Sequence, residues 1–157
     1  MTPRLDYHEK SSGAYQAMLG LERLVRNCGL EHSLLELVKT RASQINGCAY
    51  CIDMHTKDAR AAGETEQRLY GLPAWRETPF YTPRERAALE WTETLTLISE
   101  NDVCDELYAR VREHFDEQEI VNLTMAVVTI NGWNRLAISF RSVPGTYQVA
   151  TRTAVQE

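Results

Sequence analysis

The sequence predicts an all-α fold, and three observations carry that prediction. Apolar residues recur at three- and four-residue spacing along nearly the whole chain. Helix start signals stand ahead of these runs, as at Thr82-Pro83-Arg84-Glu85 and Asp116-Glu117-Gln118-Glu119. No segment shows the strict apolar–polar alternation of a half-buried strand.

The elements follow in order. A first helix is expected from Ser12 to Asn27, with Ala14, Ala17, Met18, Leu21, Leu24 and Val25 on one face and Gly29 beyond its end. Ser33-Leu34-Leu35-Glu36 has the form of a capping box. It opens a helix striped by Leu34, Leu35, Val38, Ala42 and Ile45, with Glu36, Lys39, Thr40 and Ser43 on the polar side. Arg41 falls inside the apolar stripe, where a charge needs a partner: a carboxylate or a thiolate. Asn46-Gly47 then breaks the chain, with Asn46 as cap of the next helix and Gly63 as its stop. A short helical piece from Glu64 to Gly71 leads into a loop, Leu72 to Tyr81, containing Pro73 and Pro79. Helices are expected from Thr82 through Ile98, from Val103 to Phe115, and from Asp116 to Phe140. The last is apolar on almost every side, so it must be central or covered by another subunit. Residues 145–157 read as a loose tail of a single domain spanning 1–157.

Composition narrows the function classes. With 43% hydrophobic and 25% charged residues, the 157-residue chain reads as one globular domain. A net charge of −5 provides no electrostatic footprint for nucleic acid. No basic block suits an anionic membrane surface, and no run reaches the ~18 apolar residues of a membrane span. The first residues hold no apolar signal-peptide core, so a cytoplasmic location is expected. Thiols there stay reduced, and a CxxC points to redox or metal chemistry. Cys28 and Cys104, far from that pair, read as buried small hydrophobes.

The chemistry concentrates in Asn46-Gly47-Cys48-Ala49-Tyr50-Cys51-Ile52-Asp53-Met54-His55. At i, i+3 and i+7, Cys48, Cys51 and His55 fall within a helical wedge of about 60°. A helix N-terminus lowers a thiol's pKa, and His55 sits one turn beyond Cys51, within reach of proton exchange. One thiol can become a sulfenic acid and the other condense with it to a disulfide. The rest of that face is mostly apolar. Two other readings stand: a CxxC buried without function, or zinc held by the two cysteines and His55. The capping box fully accounts for Glu36 on sequence physics alone.

With Glu36, Cys48, Cys51 and His55 in view, the chain resembles the AhpD-like alkylhydroperoxidases of the carboxymuconolactone decarboxylase superfamily. The stretch from Glu36 to His55 fits the family pattern, a glutamate twelve residues before a CxxC and a histidine four residues after it. Similarity extends through Ala59 to Glu64, Thr82 to Thr96 and Asn131 to Arg135. The resemblance implies an all-helical fold assembled into homotrimers or homohexamers, and peroxide reduction by the dithiol with Glu36 and His55 as a proton relay. Carried over, Cys51 reacts with peroxide and Cys48 resolves; helix position alone favours the reverse. Well-known members have a histidine where this chain has Tyr50, a phenol too weakly basic to replace it at neutral pH. No flavin or nicotinamide motif is present, so no cofactor is expected and an external thiol must supply electrons. A disulfide oxidoreductase using the same pair, or a non-enzymatic metal-binding or redox-sensing oligomer, are the alternatives.

Overall fold

α3 is the axis of this molecule, and the other elements are arranged around it. The computed structural model describes residues 1–149. Their order is α1 (Tyr7–Lys10), α2 (Ser12–Arg26), α3 (His32–Asn46), α4 (Ala49–Ala61), α5 (Glu66–Gly71), a 3₁₀ turn (Leu72–Glu77), α6 (Pro83–Thr96), α7 (Asp105–Arg112) and α8 (Glu117–Phe140). No strand occurs among the described residues, as the periodicity predicts. No helix there is long and apolar enough to cross a membrane.

α3 packs against α4, α6 and α8. Leu34, Leu35, Leu37, Val38 and Ala42 are buried, and so are Glu36, Lys39, Thr40 and Ser43, the residues expected on a solvated face. α4 folds back over that face and encloses it. Most of the enclosed polar groups are paired: Lys39 Nζ with Glu22 at 2.5 Å, and Ser43 Oγ donating to the Lys39 carbonyl at 2.7 Å, while Thr40 Oγ1 has no partner among the described residues. Arg41 meets the carboxylate alternative, with Nε 2.7 Å from Glu93 Oε1. Each large apolar side chain so buried contributes about 1.5–3 kcal/mol of transfer free energy.

α8 is not central. Leu123, Ala126, Val127, Ile130 and Ala137 face inward, while Val121 and Val128 are 61% and 50% exposed on the outside. α6 and α8 both open with complete capping boxes, Thr82 with Glu85 and Asp116 with Glu119. The box expected at Ser33 does not form. α3 starts two residues earlier, with Glu31 as N-cap and no side-chain cap, and Glu36 is drawn across to α4 instead of back to its own N-terminus. α1 is a single turn capped by Asp6, whose carboxylate accepts from the backbone N–H groups of His8 and Glu9; four residues are too few to show a period. Cys28 is half-buried against the core, but Cys104 is exposed, so its reading as a buried hydrophobe is corrected.

Of the tail expected over 145–157, residues 150–157 lie outside the described part. Residues 145–149 run without helix along α4. Gly145 N–H donates to Asp53 at 2.9 Å, Lys57 Nζ to the Tyr147 carbonyl at 3.1 Å, and the Tyr147 hydroxyl to Asp58 at 2.7 Å.

Candidate active site

The turn between α3 and α4 builds the site. Gly47 adopts φ +68°, a left-handed conformation that glycine reaches without strain. The chain then reverses so tightly that Cys48 N–H donates to the Ser43 carbonyl at 2.9 Å. Cys48, not Asn46, is therefore the N-cap of α4. Asn46 ends α3, and its amide donates to Asn131 and Asn134 on α8, at 3.0 and 2.8 Å.

The antiparallel pair α3–α4 brings together all four residues singled out from the sequence. Glu36 and His55, on facing sides, meet with Oε2 2.8 Å from Nδ1. Cys48 and Cys51 are each only 1% exposed. The Cys48 sulfur accepts from the Cys51 backbone N–H at 3.4 Å. The Cys51 thiol and the Asn134 amide also hydrogen-bond to Cys48 sulfur; these donors outweigh burial and bring its pKa down to about 7. Cys51 is pushed the other way, first by donating its proton to Cys48 and then by burial. The dithiol thus pairs a Cys48 thiol that ionises near pH 7 with a Cys51 thiol that needs a base.

His55 supplies a base of the right form. With Nδ1–H donating to Glu36, the neutral ring leaves its lone pair on Nε2. That atom is buried and has no partner among the described residues. Burial pushes the Glu36 carboxyl up, but the hydrogen bond and charge of His55, with Lys39 and His32, hold it below its ordinary value of 4.5. Glu36 is therefore a carboxylate at neutral pH. Thr40 Oγ1, one turn further along α3, is the other buried side-chain atom without a partner among the described residues.

A cavity of about 220 Å³ opens in front of this group, and its wall includes Cys51 and His55 but not Cys48. The wall is not the plain apolar face read from the sequence: aromatic rings form much of it, and Glu22, Arg26 and Asp58 are also present. Tyr50 is among them, its phenol held protonated by burial and by Cys51. Tyr147 closes one side, its pKa pushed up to about 12 by burial and by donation to Asp58. A wider, more open hollow of about 710 Å³, lined by Gln44, Ile52 and Arg60 among others, reaches neither cysteine.

Ligand atoms of Glu36, His55 and Asp58 lie within 4.8 Å of one another, so these three could hold a cation. It would compete with the His55–Glu36 bond and with the Tyr147 hydroxyl on Asp58. Asn134, Asp58 and Tyr147 are site residues that sequence reasoning missed. Asn134 alone left a signal, as one of three asparagines in a largely apolar helix, with Asn122 and Asn131.

Known proteins resemble the chain in sequence and in fold. The model of the carboxymuconolactone decarboxylase family matches residues 13–94. YdfG of Bacillus subtilis, itself uncharacterized, is 49% identical over 88% of this chain and 95% of its own. A structure from Agrobacterium tumefaciens, described as a protein of unknown function with an AhpD antioxidant-defence assignment, superposes with a TM-score of 0.89. It is 43% identical and covers 93% of this chain and 100% of its own. An alkylhydroperoxidase AhpD core from Ralstonia eutropha shares the fold at 18% identity, with a TM-score of 0.78 over 88% of this chain and 74% of its own. The chain therefore belongs to the carboxymuconolactone decarboxylase family, on its AhpD-like side.

Proposed function

We propose that this protein is a thiol-dependent peroxidase whose dithiol cycles between Cys48–Cys51 thiols and a disulfide. The observation that carries the reading is the bare, buried Nε2 of His55 beside a cavity walled by Cys51, with Glu36 fixing the opposite nitrogen. His55 takes the Cys51 proton, and the thiolate attacks one peroxide oxygen. An S–O bond forms, the O–O bond breaks, and the leaving alkoxide takes a proton to depart as an alcohol. Cys48, which ionises near pH 7, then attacks as the thiolate on the Cys51 sulfur; the S–S bond forms and hydroxide leaves, protonated to water. An external thiol or dithiol returns two electrons and two protons, so a reducing compartment such as the cytoplasm suits the cycle.

The burial of both sulfurs favours a small oxidant over a protein disulfide, which cannot reach groups 1% exposed. Tyr50 takes no proton at neutral pH in this scheme and serves as wall and hydrogen-bond donor. The uncovered Val121 and Val128 on α8 suit packing against another copy of the chain, in keeping with a homo-oligomer. The test is a sulfenic-acid trap: Cys48→Ser treated with one equivalent of hydroperoxide and then dimedone. The expected adduct is on Cys51. An adduct confined to another cysteine, or none, counts against the mechanism.

A further inference from the structure

Six aromatic side chains converge on the cavity in front of Cys51. Tyr7 and His8 come from α1, Tyr15 from α2, Tyr50 from α4, Trp133 from α8 and Tyr147 from the segment after it. Leucines and isoleucines, which fill much of the core, would have made an apolar wall as well; here Leu19, Met54 and Ala137 supply the aliphatic part, Glu22, Arg26 and Asp58 the charged part, and rings most of the rest. The rings also hold one another in place. Tyr15 meets Trp133 edge to face, with centroids 5.9 Å apart at 70°, and Tyr7 meets Tyr15 at 6.4 Å and 67°. His8 lies stacked on Tyr15 at 4.1 Å. Spacings of this kind fix ring orientation, so the wall is formed before any ligand arrives. Tyr147 is fixed separately, by its hydroxyl on Asp58 at 2.7 Å.

Size sharpens the choice of occupant. A volume of about 220 Å³ is below the ~300–1,000 Å³ of sites for drug-sized ligands. It has room for one ring and a short functional group, and little for a long chain.

We infer that the cavity selects a hydroperoxide borne by a single aromatic ring, with the ring among Tyr15, Trp133 and Tyr147 and the peroxide group towards Cys51 and His55. The reacting group rests on the peroxidase reading; ring recognition stands on the cavity wall alone. In the reaction the ring is unchanged: Cys51 sulfur is oxidised, the O–O bond is reduced, and an aryl-substituted alcohol leaves.

The test uses that product. The reduced protein is titrated by NMR with 2-phenylpropan-2-ol, the alcohol left by cumene hydroperoxide, and with 2-cyclohexylpropan-2-ol, its ring-saturated counterpart. The saturated compound is the more apolar, so hydrophobic transfer alone would favour it. The phenyl alcohol is expected to bind about tenfold more tightly, the worth of one or two good aromatic contacts. Tyr15→Leu is expected to reduce that preference to about twofold; wild-type discrimination remains the criterion if the variant does not fold. Equal binding, tighter binding of the cyclohexyl compound, or no binding of either overturns the inference. Phenyl preference without any thiol oxidation by cumene hydroperoxide keeps the ring site and removes the peroxidase reading. Oxidation by cumene hydroperoxide no faster than by tert-butyl hydroperoxide, once free-thiol rates are divided out, removes the ring site and keeps the peroxidase.

Discussion

Replacing Glu36 by glutamine changes one buried charge and little volume. The side chains of His55 and Glu36 are 6% and 3% exposed, and their bond is 2.8 Å long. A hydrogen bond to a charged group is worth about 1.5–3 kcal/mol. Glu36 can use that energy twice, holding Nδ1 protonated and stabilising the imidazolium that forms when Cys51 gives up its proton. If the charged contribution is lost in the transition state, 1.5–3 kcal/mol corresponds to about 10- to 150-fold in rate. Glu36→Gln is therefore expected to slow peroxide oxidation of the reduced protein by roughly 10²-fold, measured by stopped flow under single-turnover conditions. Folding should weaken by about 1–3 kcal/mol in a urea titration. That loss has a definite pH dependence. The folded carboxyl is held below its ordinary 4.5, so its stabilisation is fully present above that value and disappears as pH falls through the lower folded one. The gap between wild type and variant should narrow as pH falls below 4.5 and close once it has passed the folded value. A variant that is less stable but oxidises at the wild-type rate would refute the relay and leave Glu36 as a structural carboxylate.

Three further outcomes are expected. Ultraviolet titration of the reduced protein should show one site thiolate forming near pH 7, and Cys51→Ala should move that midpoint upward, because the Cys51 thiol is the largest influence lowering it; an unmoved midpoint would contradict the shared proton. Asn134→Leu should cost about 2–4 kcal/mol in chemical denaturation, since Asn46 loses an acceptor and Ser43 a donor in a buried setting; a neutral result would mean those groups find other partners. Arg41→Met should cost about 1–2 kcal/mol rather than the ~3–5 of an abandoned buried charge, because Glu93 keeps Arg76 and the Trp75 indole; a loss at the upper figure would show that those two do not suffice.

Much of the fold was legible because its signals are local. The box at Thr82 and Glu85 forms as read, and the long apolar run after Asp116 is one helix to Phe140. The errors arise where a distant element competes with a local one. Ser33 and Glu36 have capping-box spacing, yet His55 on α4 is the stronger partner for the carboxylate. Lys39, Thr40 and Ser43 have the phase of a solvated face, and only tertiary packing encloses them, with Lys39 paired to Glu22 on α2 and Ser43 to Asn134 on α8. Asn46 is a good cap by type, but the turn at Gly47 shifts that role to Cys48.

The same division runs through the site. Cys48, Cys51 and His55 share a helix, so spacing alone put them on one face. Glu36 was joined to His55 only through the family pattern, because the pairing of two helices cannot be read from the phase of either. Asp58 and Asn134 come beside the cluster, and Tyr147 bonds Asp58, only through tertiary contacts across separations of up to about ninety residues. Tyr7 and Tyr15 left no mark, since aromatic residues at a chain start read equally well as ordinary packing.

The dithiol cycle is tested most directly by peptide mapping of the reduced protein after one equivalent of cumene hydroperoxide. The predicted result is rapid loss of two thiols per chain and a single cross-link, Cys48 to Cys51. Two intact site cysteines after minutes of exposure, or a bridge that instead involves exposed Cys104 or half-buried Cys28, would contradict it.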